Sequence, residues 1–129
     1  MVKRYLIDSS AVSKYLEERF SETGLQFMDD LFSQESLISV ITQIELLSWN
    51  PADRDLENKV AIFVEDSVVL KLSEEIVLET IRLRRKHKIK TPDAIIAATA
   101  LVYGYIVVTD NERDFDNIKG LKWINPTHL

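Results

Sequence analysis

The chain has 129 residues, which is the length of one domain, and we predict a single domain over residues 1–129. It contains no cysteine, which excludes disulfides, a cysteine-ligated zinc site and a thiol nucleophile, and its net charge of −5 excludes a uniformly basic surface. No apolar run approaches the ~20 residues that cross a bilayer, and the first residues do not resemble an export signal, so we expect a cytoplasmic protein with no membrane contact.

The first part of the chain alternates short apolar segments with amphipathic ones. Residues 5–7 predict a buried strand, and residues 11–18 and 22–32 predict two helices. A β-rich segment over residues 37–40 predicts a second strand, and a helix is expected over residues 42–49.

The rest of the chain continues this alternation. The expected elements are a helix over 53–64, a strand over 68–70, helices over 74–87 and 92–103, a strand over 105–108, a polar turn or short helix over 110–115, and a final strand over 121–124. Ser73 is predicted to cap one helix, and Thr91 to cap another with Pro92 in its first position. Short apolar strands separated by helices indicate an α/β domain with a mostly parallel sheet of four to five strands.

Acidic residues follow the predicted strands or begin the predicted helices. Asp8 and Asp110 come after strands, Glu45 lies near the start of a helix, and Asp93 lies in a first helical turn. Because strand ends and helix starts share one edge of a wound α/β sheet, these acids are expected to converge. Two carboxylates ~5 Å apart repel by about 3 kcal/mol at an effective dielectric near 20, so a cluster needs protons or a cation. Oxygen ligands without histidine or cysteine favour Mg²⁺ or Mn²⁺ over Zn²⁺.

Each acid also has a purely structural explanation. Glu45 has the position of a capping-box residue for a helix that begins at Thr42. Asp93 favours the dipole of its helix, and Asp8 could cap the first helix. The net charge fits either interpretation, because removing these acids with Asp110 and Asp114 leaves 16 acidic and 16 basic residues.

Four segments resemble a known family, in that family's order. They are YLIDSSA at residues 5–11, IELL at 44–47, TPDAIIAATA at 91–100 and VVTDNERDF at 107–115. Over residues 2–125 the chain resembles the PIN-domain ribonucleases, and within them the VapC-like toxins of type II toxin–antitoxin pairs. The resemblance implies a PIN-like three-layer α/β/α fold and a Mg²⁺-dependent endoribonuclease. It also implies an RNA substrate, an antitoxin partner and a homodimer.

The resemblance assigns roles to the acidic residues. Asp8 and Asp93 match the positions that bind metal most directly, and Glu45 matches the third acid. Asp114 is favoured as the fourth acid and metal ligand, and Asp110 is the alternative. If Asp114 is the fourth acid, Asp110 lies at the rim of the metal site. Supporting roles are expected for three further residues, namely Ser10 and Thr109 as hydroxyl partners of the acids and Asn111 as a residue that orients a neighbour.

Two further features have alternative explanations. Six basic residues fall within nine positions just before Asp93, and Arg84, Arg85 and Lys88 among them are either a solvated helix end or an RNA-phosphate clamp. Trp49 and Trp123 are interpreted as packing or interface residues.

The same residues argue against two other enzymatic functions. Phosphatase chemistry at Asp8 needs a second aspartate two residues later, where this chain has Ser10, and the acidic pair of a receiver domain is missing. A non-catalytic PIN-like subunit that binds RNA or serves as a scaffold is the remaining alternative. Such a subunit is expected to have lost a central acid, whereas Asp8, Glu45 and Asp93 are all present.

Overall fold

Five short strands form an entirely parallel sheet at the centre of the protein. The structure is a computed structural model that describes residues 3–129. Met1 and Val2 lie outside the described residues. Val2 is the first residue of the range over which the chain resembles the family. The strands are β1 (Tyr5–Ile7), β2 (Leu37–Ser39), β3 (Val68–Leu70), β4 (Ile106–Val108) and β5 (Trp123–Ile124). Their order across the sheet is β3-β2-β1-β4-β5, which confirms the predicted α/β class.

Helices connect the strands. They are α1 (Ser9–Leu16), α2 (Glu22–Phe32), α3 (Val40–Ser48), α4 (Arg54–Asp66), α5 (Glu74–Lys86) and α6 (Thr91–Tyr103), with 3₁₀ turns at Glu112–Asp114 and Pro126–His128. Helix α6 ends at Gly104, whose φ of 74° is the left-handed conformation that glycine adopts without steric cost.

The sheet separates two hydrophobic layers because successive strand residues point to opposite faces. Leu6, Leu37 and Val107 face a layer that includes Ile76 and Leu83 of α5 and Ile96 of α6. The next residue of each strand, Ile7, Ile38 and Val108, faces a layer built from α1, α2, α3 and α4. This arrangement is the three-layer α/β/α fold that the resemblance implied.

The first residues beyond β1 and β4 stay attached to the sheet. The backbone N–H of Asp8 donates to the carbonyl of Val108 at 2.8 Å, and that of Thr109 donates to Ile124 at 3.1 Å. The chain leaves β1 toward β2 on one side, while β4 lies on the other side. The carboxyl ends of β1 and β4 therefore flank the crevice where open α/β sheets bind ligands.

Three predicted helix starts were wrong. Helix α1 begins at Ser9, two residues early, because the Asp8 side chain caps it. The predicted capping box from Thr42 to Glu45 does not form, since Ser39 is the N-cap of α3 and accepts from the Thr42 N–H at 3.2 Å. Lys90 rather than Thr91 is the N-cap of α6, where its carbonyl accepts the Ala94 N–H at 2.9 Å. Within residues 3–129, no helix is both long and apolar enough to cross a membrane.

Candidate active site

Asp8 is a buried carboxylate at the end of β1, and only 7% of the residue is exposed. Its Oδ1 accepts the Ser9 backbone N–H, and its Oδ2 accepts the hydroxyls of Ser10 and Thr109, each at 2.9 Å. Burial raises the pKa of Asp8 above its ordinary value, against the opposing effect of the two hydroxyl donors, and the nearby charge of Glu45 raises it further. Asp8 is thus both a helix cap and a charge held inside the crevice.

Asp93 is the residue on which the acidic groups converge. It is half-buried in the first turn of α6, and its pKa is raised to about 6. Burial is the main cause, followed by the charges of Asp114, Asp8 and Glu45, while Lys90 acts in the opposite direction. Helix-dipole stabilisation alone would lower this pKa, so the structural explanation of Asp93 does not account for its environment.

Glu45 and Asp114 approach the crevice from its two sides. Glu45 is exposed on α3, and its Oε1 accepts the Ser9 hydroxyl at 3.0 Å. Asp114 lies in the 3₁₀ turn, where its Oδ2 accepts the side-chain amide of Asn111 at 2.7 Å. Both outer carboxylates are therefore held by short polar side chains, and Asn111 makes the contact expected of a residue that orients a neighbour.

Asp110 is engaged away from these acids. Its Oδ1 accepts Lys14 Nζ at 3.3 Å and the Thr127 hydroxyl at 2.5 Å, and it is not among the groups that raise the pKa of Asp93. Its backbone N–H donates to Ser10 Oγ at 2.9 Å. The structure thus ties Asp110 to a cation and to the loop that positions Asp8, and does not bring its carboxylate into the group around Asp93.

Three residues of this arrangement were missed in the sequence. Ser9 holds Glu45 across 36 positions, and Lys14 and Thr127 hold Asp110 across 96 and 17 positions. Ser9 lies inside the YLIDSSA segment, which marked it as part of the site without giving its partner. No local pattern distinguishes Lys14 or Thr127 from other surface residues.

The donors around Asp93 fit a hard divalent cation in kind. Asp93 and the three acids around it offer carboxylate oxygens, which are the ligands that Mg²⁺ and Mn²⁺ prefer. The hydroxyls of Ser10 and Thr109 fix the carboxylate of Asp8. In the part of the chain that the structure describes, no three acidic or histidine side chains are grouped tightly enough to enclose an ion as they stand. Among these four acids, Glu45 is exposed, Asp93 and Asp114 are partly buried, and Asp8 is buried.

A groove of about 610 Å³ opens beside the acidic residues. Ser9, Ser10 and Glu45 line it on the side of the site, and Ser13, Glu17 and Trp49 line the remainder. The basic residues Arg84, Arg85 and Lys88 lie elsewhere, exposed in the last turn of α5 and in the short connection to α6.

Fold and site together define an α/β protein with an acidic crevice at the carboxyl ends of its parallel strands. The chain belongs to the PIN domain family, whose model matches residues 5–121. This membership supports a nuclease activity. No curated protein sequence matches the chain significantly.

Several solved structures, among them a toxin–antitoxin complex, share this fold. The chain is similar to a chain of the DNA-bound VapBC complex from Salmonella typhimurium, with a TM-score of 0.78 and 22% identity over 97% of this chain and 99% of that chain. It is also similar to FitAcB from Neisseria gonorrhoeae, with a TM-score of 0.76 and 23% identity over 97% and 99% of the two chains. A toxin–antitoxin complex from Klebsiella pneumoniae has a TM-score of 0.73 and 24% identity over 95% and 97%.

Proposed function

We propose that the protein is a Mg²⁺-dependent endoribonuclease and the toxin component of a toxin–antitoxin pair. The observation that carries the proposal is the convergence of three carboxylates on Asp93, which together with burial raises its pKa to about 6. A fold that needed these acids only as caps or surface charges would gain nothing from placing them together.

In the proposed site, Asp8, Glu45, Asp93 and Asp114 hold the cation, with Mn²⁺ as an alternative to Mg²⁺. A divalent ion bound there would lower the pKa of a water molecule and offset the charge that develops on the leaving oxygen. The donors to Asp8 matter because they keep both of its oxygens fixed at the end of β1. Asp110 is proposed to act from the rim, through its backbone contact with Ser10 rather than as a ligand.

The proposed reaction is hydrolysis of an RNA phosphodiester. A water oxygen loses a proton and attacks phosphorus, the bond to the 3′ oxygen breaks, and that oxygen takes a proton from solvent, so that the products are a 5′-phosphate and a 3′-hydroxyl. Glu45 and Asp93 are the two candidate acceptors for the proton of the water. Glu45 is favoured because it lines the open groove, where Ser9 fixes one of its oxygens and leaves the other free.

Partners follow from the related complexes and from the basic residues. The similarity to VapBC and FitAcB chains over nearly their whole length supports an antitoxin partner, and a homodimer is proposed from the family resemblance. Arg84, Arg85 and Lys88 are proposed to contact RNA phosphates. Their position in the sequence supports this proposal, because only four residues separate α5 from α6. One of those four residues, Lys90, is close enough to Asp93 for its charge to lower the pKa of that carboxyl.

The deciding experiment compares purified wild type with Asp93→Asn on single-stranded RNA, with and without EDTA. We expect Mg²⁺-dependent cleavage and 5′-phosphate ends from wild type, and loss of both from the variant. Asp116→Asn is the matched control, because Asp116 is exposed and its side chain makes no hydrogen bond within residues 3–129. Cleavage that survives in Asp93→Asn or in excess EDTA would reject the mechanism. RNA binding without cleavage in every protein would instead establish the non-catalytic alternative.

The toxin role is tested separately in cells. Induced expression of wild type is expected to stop growth, and expression of Asp93→Asn is expected to leave growth unchanged. Mapping RNA 5′ ends in both cultures then identifies the cleaved transcripts. Equal growth arrest by the two proteins would show that toxicity does not depend on the acidic site.

A further inference from the structure

The groove beside the acidic residues contains an aromatic residue one helical turn away from Glu45. Trp49 follows α3 directly, and its backbone N–H donates to the carbonyls of Glu45 and Leu46 at 3.1 and 3.3 Å. The indole packs against the hydrophobic layer beneath it and also lines the groove. Residues four apart on a helix lie about 5–6 Å from each other, so Trp49 and Glu45 border one continuous space.

The other lining residues determine what this groove can accept. Ser9 and Ser13 supply hydroxyl oxygens, and Glu17 supplies a carboxylate at the far end. Arg19 donates to Oε1 of Glu17 at 3.1 Å, which orients the carboxylate and leaves Oε2 and the second lone pair of Oε1 as acceptors. None of the described residues that line the groove is basic. A phosphate would therefore meet the carboxylates of Glu17 and Glu45 and no basic side chain, whereas a neutral planar group with N–H donors would find a stacking surface and acceptors together.

We propose that this groove binds an unpaired nucleobase of the RNA substrate, next to the phosphate that is cleaved. The base stacks on Trp49, and its Watson–Crick edge donates to Glu17. Guanine fits best, because its N1–H and N2–H groups are two adjacent donors. Recognition of splayed bases by aromatic stacking and edge contacts is the usual way in which proteins select single-stranded RNA. This inference rests on the proposed nuclease function and adds a site of base selection to it.

Tryptophan fluorescence tests binding without any cleavage. The chain has two tryptophans, and Trp123 packs in the layer on the opposite face of the sheet, so Trp123→Phe leaves Trp49 as the sole reporter. The probe is a pentanucleotide with one guanine among uridines, added to protein that also carries Asp93→Asn so that the RNA stays intact. We expect quenching in this protein and none when Trp49→Phe leaves Trp123 as the reporter. Equal quenching in both proteins, or none in either, overturns the proposal.

Cleavage kinetics separate stacking from packing. Trp49→Phe and Trp49→Leu both keep an apolar side chain against the core, but only phenylalanine keeps a ring. Loss of stacking is expected to raise KM for single-stranded RNA about 5- to 150-fold in Trp49→Leu, with kcat retained and with a much smaller effect in Trp49→Phe. Equal KM values in the two variants would show that Trp49 has only a structural role.

Glu17→Gln tests base selection. Wild type is expected to prefer the guanine-containing pentanucleotide over pentauridine by about 5-fold or more, and the variant is expected to lose this preference. An unchanged preference would remove Glu17 from the proposal.

Quenching of Trp49 by an arginine-containing peptide but not by RNA would overturn the proposal and assign the groove to a basic protein segment. If wild type cleaves RNA but RNA does not quench the fluorescence of Trp49, only the proposed base site is rejected. If wild type does not cleave RNA, the nuclease function is rejected, and the fluorescence titration alone tests base binding in the groove.

Discussion

Replacing Asp93 by asparagine is expected to stabilise the metal-free protein while it abolishes cleavage. The folded-state pKa of Asp93 is about 6, above its ordinary value of 3.8. The folded protein therefore binds more protons than the unfolded chain between these values, and its stability falls as the pH rises through this range. Above pH 6 the ionised carboxylate opposes folding, and asparagine removes that charge.

The size of the effect follows from the same pKa. A rise from 3.8 to about 6 corresponds to about 3 kcal/mol at 1.36 kcal/mol per pH unit. Asp93 is only half-buried, so solvent screening reduces this to about 1–2 kcal/mol. The variant also loses a favourable interaction with the dipole of α6, which is worth about 0.5 kcal/mol. The net expectation is a gain of about 1 kcal/mol, or about 4 °C in Tm for a chain of this length.

Urea unfolding in EDTA at pH 7.5 and pH 4 measures this gain. The free energy of unfolding of Asp93→Asn is expected to exceed that of wild type at pH 7.5. The difference is expected to nearly vanish near pH 4, which is close to the ordinary pKa of 3.8. The exposed Asp116→Asn control is expected to match wild type at both values. A variant that is less stable than wild type at pH 7.5, or equally stabilised at both pH values, would refute the electrostatic argument.

Three further predictions concern the residues around the acids and the basic residues of α5. Thr109→Val is expected to destabilise the fold by about 1–3 kcal/mol at pH 7.5, because Asp8 loses a buried donor; Thr109→Ser should behave as wild type in the same urea titration. Mg²⁺ at a hundred times its Kd is expected to stabilise wild type by about 2.7 kcal/mol in thermal unfolding, and a curve insensitive to Mg²⁺ would contradict a metal site. Changing Arg84, Arg85 and Lys88 together to alanine is expected to weaken RNA binding and to reduce the slope of log K against log salt by about 2; an unchanged slope would assign them to solvent.

The strands and the acidic edge could be predicted from the sequence because both depend on local order along the chain. Apolar triplets such as residues 5–7 and 106–108 are typical of central strands of a parallel sheet, and a polar residue follows each of these two strands. The position of Asp8 after its strand therefore fixed its edge of the sheet. Parallel pairing of the strands then brought it next to Thr109, 101 residues later.

The remaining details depend on contacts that no local pattern contains. The sequence placed the start of this helix at Thr42, but β2 ends at Ser39 and the helix starts directly after it. The carboxylate of Asp110 could equally have faced the other acids. Its direction is set by Lys14 and Thr127, which come from α1 and from the last turn of the chain.

Because β1 is only three residues long, the packing of its side chains in the hydrophobic core determines the position of Asp8. Leu6 and Ile7 enter different layers, so sliding β1 by a single residue would send each into the wrong layer. The same slip would move Asp8 by about 3.3 Å along the strand, beyond the reach of the Thr109 hydroxyl. Buried apolar side chains thus hold the Asp8 carboxylate in place to within the length of a hydrogen bond, and substitutions that altered their packing would disturb the candidate active site before the fold.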